Sequence, residues 1–175
     1  MNEECGTQFW TYVGGGGYYP FATIERVDQP LINSRAFFWE PIAFDHIKGF
    51  LYWDIHMWRN NDHLKGKNPV DWSLWNTTHG DNNGMAAIFY PGPDNQPFPS
   101  LRAAAIRDGI DDYNYVKIAE ERLAKLPASE QPAARQELQA IKDKLCTGMS
   151  VFCQDPAELS RLREQLIEFI NRQER

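Results

Sequence analysis

Hydrophobic residues recur along this chain in two rhythms, short continuous blocks first and helical spacing later. Gln8-Phe9-Trp10-Thr11-Tyr12-Val13 and Met85-Ala86-Ala87-Ile88-Phe89-Tyr90 have the aromatic and β-branched make-up of strands. Phe50-Leu51-Tyr52-Trp53 is a third such block, with no polar alternation, as expected of a strand covered on both faces. Between the Gln8–Val13 block and the Phe50–Trp53 block, residues Asn33 to about Ile47 are expected to be helical. Asn33 or Ser34 is the cap, and Pro41 should kink or split the helix. Gly49 is then the expected turn residue between that helix and the central strand.

The later rhythm is helical. Pro99-Ser100 opens a helix running to about Lys125, with Ser100 as cap and Ile106, Ile110, Tyr113 and Val116 as the apolar face. Gln131 to Leu145 is amphipathic, and Thr147-Gly148 breaks it. Asp155-Pro156-Ala157-Glu158 starts a last helix, which reaches about Arg172 and carries Leu159, Leu162, Leu166, Ile167 and Ile170.

The resulting order is strand, helix, strand, long loop, strand, long helix and two further helices, a βαβ-type pattern. Three strands cannot close the common α/β barrel, which needs eight. The expectation is therefore a small open sheet or the C-terminal portion of a larger (β/α)8 (TIM) barrel. A strand so soon after Met1 favours the second. Residues 1–127 are expected to form this partial barrel, about three βα units, and residues 128–175 a C-terminal helical hairpin packed on it.

Two connections stand out. Gly14-Gly15-Gly16-Gly17 is either a mobile loop or a close backbone approach to a ligand, and no Gly-Lys-Ser/Thr follows to make it a phosphate loop. Arg59 to Gly84 is polar and long for a connection within a domain. Its Trp72 and Trp75 suggest an ordered roof over a site.

Composition narrows the partners. The formal net charge of -6 and the lack of a long basic run disfavour nucleic acid and anionic membrane. No apolar run approaches membrane-spanning length. Aromatics reach 13%, and all six tryptophans lie in the first half, which suits platforms for the flat C–H faces of sugars as well as core filling. The cysteines, Cys5, Cys146 and Cys153, form no close CxxC pair, which argues against a zinc site or disulfide framework; a Cys146–Cys153 bridge stays open. His46, His63 and His79 are too scattered for a metal site, and nothing calls for a cofactor. The N-terminal residues do not read as a signal peptide, and the compartment is left open, a periplasmic or secreted parent protein included.

The candidate chemistry gathers at strand ends, where parallel α/β sheets and barrels place ligands. Asp54 and His56 fall on one side of the central strand's end, with Trp58 just beyond. Asp54 is the candidate catalytic carboxylate. An acid or base role would require a second carboxyl about 5–9 Å away, and the sequence assigns none. A loop-capping Asp54 and a hydrogen-bonded structural His56 are the competing readings. Arg107, Asp108, Asp111 and Asp112 look architectural, with Arg35 or Arg102 as the arginine that pins their helix.

Several of these segments, in order, are those of a known family. Phe9-Trp10-Thr11-Tyr12, Arg35-Ala36-Phe37-Phe38-Trp39, Gly49-Phe50-Leu51-Tyr52-Trp53, Tyr90-Pro91-Gly92, Ser100-Leu101-Arg102 and Arg107-Asp108-Gly109-Ile110-Asp111-Asp112-Tyr113-Asn114-Tyr115 resemble the glycoside hydrolase family 123-like catalytic domain, also called domain of unknown function 4091. The resemblance covers roughly residues 8–125. It implies the last strands of a (β/α)8 barrel and a retaining β-N-acetylgalactosaminidase-like activity in which the substrate's acetamido group is the nucleophile. It also implies that Tyr12, Trp53, Trp58 and Tyr90 line a sugar pocket; Asp54 and His56, from their place at the strand end, join them as substrate-binding candidates. The family's adjacent Asp-Glu acid pair has no counterpart, since no Asp-Glu dipeptide occurs in this chain. Two functions are therefore expected: a glycosidase-like domain acting in a complete parent protein, or a non-catalytic carbohydrate-binding or scaffold remnant. The expected partners are a glycan, and a second copy or a missing N-terminal barrel segment.

Overall fold

The computed structural model describes residues 6–15, 17–57, 78–79, 82–92 and 96–172. Strand β1 (Phe9–Tyr12) and strand β2 (Ile47–Leu51) pair in parallel, with Trp10 opposite Gly49, Thr11 opposite Phe50 and Tyr12 opposite Leu51. The crossover between them is helical in three short pieces: α1 (Ile32–Ala36), a 3₁₀ turn (Phe37–Trp39) and α2 (Glu40–Ala43). Pro41 splits the expected single helix. It sits in the first turn of α2, where a missing N–H costs nothing. The helix ends at Ala43, and Ile47 already belongs to β2.

Gly49 is inside β2 rather than in a turn, for a packing reason. A Cβ at Gly49 would lie 2.8 Å from the indole of Trp10, so the glycine is what lets Trp10 cross the strand. The pair is covered on one face only. Phe50 packs on Phe37 and Phe38, with ring centroids 5.7 and 4.6 Å away. On the other face Trp10, Tyr12 and Leu51 are each more than half exposed. The expectation of a strand buried on both faces is thus corrected among the described residues.

The third strand also departs from expectation. β5 (Phe89–Pro91) pairs antiparallel with β6 (Pro97–Pro99), closed by Gly92 N–H donating to the Gln96 carbonyl at 2.9 Å. Gly84 to Ala86 form a turn ahead of it, with Gly84 and Ala86 at positive φ. Prolines at both ends of β6 cannot donate to a central ladder, which confines the pair to a small hairpin. The hairpin is tied to the chain leaving β2 by the His56–Ala87 bridge and by Ile88 and Phe89 N–H groups donating to the Ile55 carbonyl. Two-residue strands β3 (Thr78–His79) and β4 (Asn82–Asn83) pair antiparallel. The architecture is mixed α/β with small sheets, and the described strands close no barrel.

The long helix α3 (Leu101–Lys125) is capped as expected, the Ser100 hydroxyl accepting from Ala103 N–H at 3.2 Å. Its inward stripe is Arg102, Ala105, Gly109, Asp112, Val116, Ala119 and Leu123, whereas Ile110 is exposed. Gly109 is required there: a Cβ would meet the Arg35 carbonyl at 2.3 Å, so α1 and α3 touch backbone to backbone. α4 (Gln131–Leu145), a hairpin of β7 (Cys146–Gly148) and β8 (Val151–Phe152), and α5 (Pro156–Arg172) complete the chain. Asp155 caps α5 by accepting from Ala157 N–H at 2.9 Å. Leu138, Leu145, Leu162, Leu166 and Phe169 merge with Trp39 and Val116 into one core.

Asp112 locks these helices together. Its carboxylate accepts from Arg35 Nε and Nη2 at 2.6 and 2.8 Å and from Trp39 Nε1 at 3.0 Å, with Arg163 3.3 Å away. Arg35 is thus the pinning arginine. Arg107 pairs with Asp108 at the surface, and Asp111 is exposed. Cys146 and Cys153 are free thiols rather than a bridge.

Candidate functional site

The parallel pair brings its C-terminal ends together because Tyr12 and Leu51 are in register. Beyond them lie the aromatic and polar residues of interest. Tyr12 is 53% and Trp53 36% exposed. Tyr52 is turned inward and meets Trp53 edge-on at 6.3 Å. Its hydroxyl accepts from Ala86 N–H at 2.9 Å. Burial pushes the Tyr52 phenol up to about 12, so it stays protonated and can donate a hydrogen bond.

Asp54 and His56 turn toward each other. An Asp54 carboxylate oxygen accepts from His56 backbone N–H at 2.9 Å and lies 3.0 Å from His56 Nδ1. This is a tight Asx-type turn that fixes both side chains at the strand end. His56 remains largely exposed. Tyr90, on β5, is half-buried and hydrogen-bonds Arg102. Because the hairpin docks on residues 55–57, the same end of the fold collects Tyr12, Trp53, Asp54, His56 and Tyr90. Trp58, Trp72, Trp75, Cys5 and most of the long polar connection lie outside the described residues.

Three buried charged residues lie behind this end; Glu40 and Glu25 were not singled out from the sequence, and Arg102 was read only as a possible pin for the acidic residues of α3. Arg102 donates from Nη1 to the Ile24 and Gly84 carbonyls, both at 2.8 Å, and from Nη2 to the Ala87 carbonyl at 2.5 Å. It ties α3 to the Ile24 segment and to the Gly84–Ala87 turn, and burial lowers its affinity for the proton. Spacing could have revealed it: Arg102 falls in step with Ala105, Gly109, Asp112 and Val116 at alternating three and four residues. Glu40 sits behind Thr11, and burial raises its pKa although the Thr11 hydroxyl hydrogen-bonds it. Its Oε2 has no hydrogen-bond partner among the described residues. Glu25 is fully buried and accepts from Gly15 N–H at 3.0 Å and Gly17 N–H at 3.4 Å. No periodicity marks it, because it lies in an irregular segment.

Among the described residues no group of three or more His, Cys, Asp or Glu side chains could hold a metal ion. No described helix is long and apolar enough to cross a membrane. A groove of about 380 Å³ lies elsewhere, between α1, α3 and α5, lined by Leu31, Leu101 and Leu159 among others, and includes none of the strand-end residues.

Fold and site together define a mixed α/β domain whose aromatic side chains gather at the carboxyl ends of a parallel strand pair. Residues 2–119 match the family described as glycoside hydrolase 123, catalytic domain, and the chain belongs to that family. Its function class is accordingly glycoside-hydrolase-like. No curated protein matches the chain.

Proposed function

We propose that the strand-end cluster is a sugar-binding surface for an N-acetylhexosamine-type glycan, and that the complete parent protein hydrolyses glycosidic bonds in the manner of a β-N-acetylgalactosaminidase. The observation that carries this reading is the exposure of Tyr12 and Trp53 at adjacent parallel strand ends in a member of this family. Trp53 offers the flat apolar face on which a pyranose stacks. Tyr90 and the locked Asp54–His56 pair offer hydrogen-bonding groups to its hydroxyls. Trp58 belongs to the same proposed set.

In this reading β1 and β2 with their crossover are consecutive units of a (β/α)8 barrel, residues 1–127 are its C-terminal portion, and residues 128–175 brace it as a helical hairpin. The open face bearing Trp10, Tyr12 and Leu51 supports this, because parallel sheets are normally covered on both sides. A second copy of the chain, or a barrel segment supplying further strands, would cover it. The chain made alone is then expected to self-associate in sedimentation experiments; a monodisperse, stable monomer would contradict this.

One observation favours a second reading. The chain has no Asp-Glu dipeptide, and Asp54 is engaged with His56 rather than with a second carboxylate. The isolated chain would then bind carbohydrate without cleaving it. Hydrolysis of an aryl β-N-acetylgalactosaminide by the purified chain separates the two. Turnover abolished by Asp54→Asn would overturn the non-catalytic reading. Absence of both turnover and any sugar-induced tryptophan fluorescence change would overturn the sugar site itself.

A further inference from the structure

Gly14, Gly15 and Gly17, after β1, are each held by specific contacts. Gly15 adopts a φ of +67°, open to glycine at little cost. A Cβ at Gly17 would lie 2.3 Å from Thr23 Oγ1. The Gly17 carbonyl accepts from Gln29 Nε2 at 3.1 Å, and Gln29 in turn accepts from Asn33 Nδ2 at 2.6 Å, which ties the loop to α1. Glu25 completes the anchor from below with its two bonds to Gly15 and Gly17 N–H.

Two features make this more than ordinary loop packing. Glycines lose the most conformational freedom on ordering, so a glycine run needs a strong anchor to hold one shape. A fully buried carboxylate is costly unless its oxygens are well met, and among the described residues Glu25 is met by amides rather than by a cation in an ion pair. The loop, in turn, shapes Tyr12. A Cβ at Gly14 would fall 2.5 Å from the Tyr12 hydroxyl and 2.7 Å from its ring, so the phenol lies back against the bare Gly14 backbone. Glu25 also acts electrostatically on Tyr52, just past the end of β2.

We infer that Glu25 is a positioning residue: by pinning the glycine loop it sets the Tyr12 phenol at the strand-end surface for the ligand. The loop half of this inference stands on the geometry alone, and the ligand half rests on the carbohydrate reading above. Two substitutions separate the steps. Glu25→Gln keeps the shape but turns an amide N–H₂ toward backbone N–H, so one anchoring bond is lost. Gly14→Ala leaves the anchor intact and displaces only the flexible end of Tyr12.

The experiment is site-resolved amide hydrogen exchange on the full chain, paired with titration by N-acetylgalactosamine read by tryptophan fluorescence. In the wild type, Gly15 and Gly17 amides should be protected, and Glu25→Gln should speed their exchange about tenfold or more. Gly14→Ala should leave that protection unchanged while weakening sugar binding about fivefold or more. Gly15 and Gly17 exchanging in the wild type as fast as in an unstructured peptide would overturn the inference without any variant being needed. So would sugar affinity in Gly14→Ala and Glu25→Gln equal to the wild type. Protected glycines with no response of the wild type to sugar would overturn the carbohydrate reading and the ligand half with it.

Discussion

The helical half and the strand-end half of this molecule bury their charges differently. Around α3 and α5, the buried Asp112 is answered by Arg35 and Arg163 and by the Trp39 indole N–H, inside a core of Leu162, Leu166 and Phe169. At the strand ends, the buried Glu25, Glu40 and Arg102 meet amides, a hydroxyl and carbonyls, and the large aromatics stay outside. The first arrangement is what a scaffold needs: charges matched, apolar groups hidden. The second orders loops and leaves Tyr12 and Trp53 partly exposed, which stability alone would not select. The contrast fits the proposal of a sugar site at the strand ends carried by a rigid helical scaffold.

The largest effect should come from breaking the scaffold. Asp112→Ala removes the acceptor for Arg35 and Trp39 together and leaves buried donors unanswered. A loss of about 3–5 kcal/mol is expected, read by chemical denaturation. A loss below about 1 kcal/mol would erase the distinction between the two halves.

Glu40 gives an intermediate effect with a definite sign. Its folded pKa is raised above the ordinary 4.5 by burial, so the folded state binds its proton more tightly than the unfolded chain does. The carboxyl therefore imposes no penalty below the unfolded value. The penalty grows as pH rises from there through the raised folded value, and above that value it is present in full. Glu40→Gln should flatten this part of the stability profile, matching the wild type in acid and exceeding it at neutral pH. A variant less stable than wild type at neutral pH would show that the charged form is instead welcomed.

How much of this was legible in the sequence follows the same divide. Helices α3, α4 and α5 could be read from Ser100, Thr147-Gly148 and Asp155-Pro156, because caps and breakers act locally. Strands β1 and β2 were visible as aromatic blocks, but β2 begins two residues before Gly49, since only the tertiary contact with Trp10 explains a glycine inside a strand. The third strand's antiparallel pairing was missed because pairing partners are set by the distant Pro97–Pro99 segment. The inward face of α3 was misassigned toward Ile110, since Arg102 and Asp112 hold buried positions that hydrophobicity would give to apolar residues. Of the site, the exposed aromatics could be named in advance, and the buried place of Arg102 could be read from its step on α3; Glu25 works through backbone groups of an irregular loop and leaves no spacing to read.

The smallest effect on stability should coincide with the largest effect on binding. Trp53→Phe alters a half-exposed ring at a strand end and should change stability by less than about 1 kcal/mol. The measurement that tests the account most directly is therefore titration of the wild-type chain and of Trp53→Phe with N-acetylgalactosamine, followed by the heat of binding in a calorimeter. The account predicts a saturable change in the wild type that is abolished or sharply reduced in a Trp53→Phe chain of unchanged stability. An equal response in both chains, or none in the wild type, would contradict it.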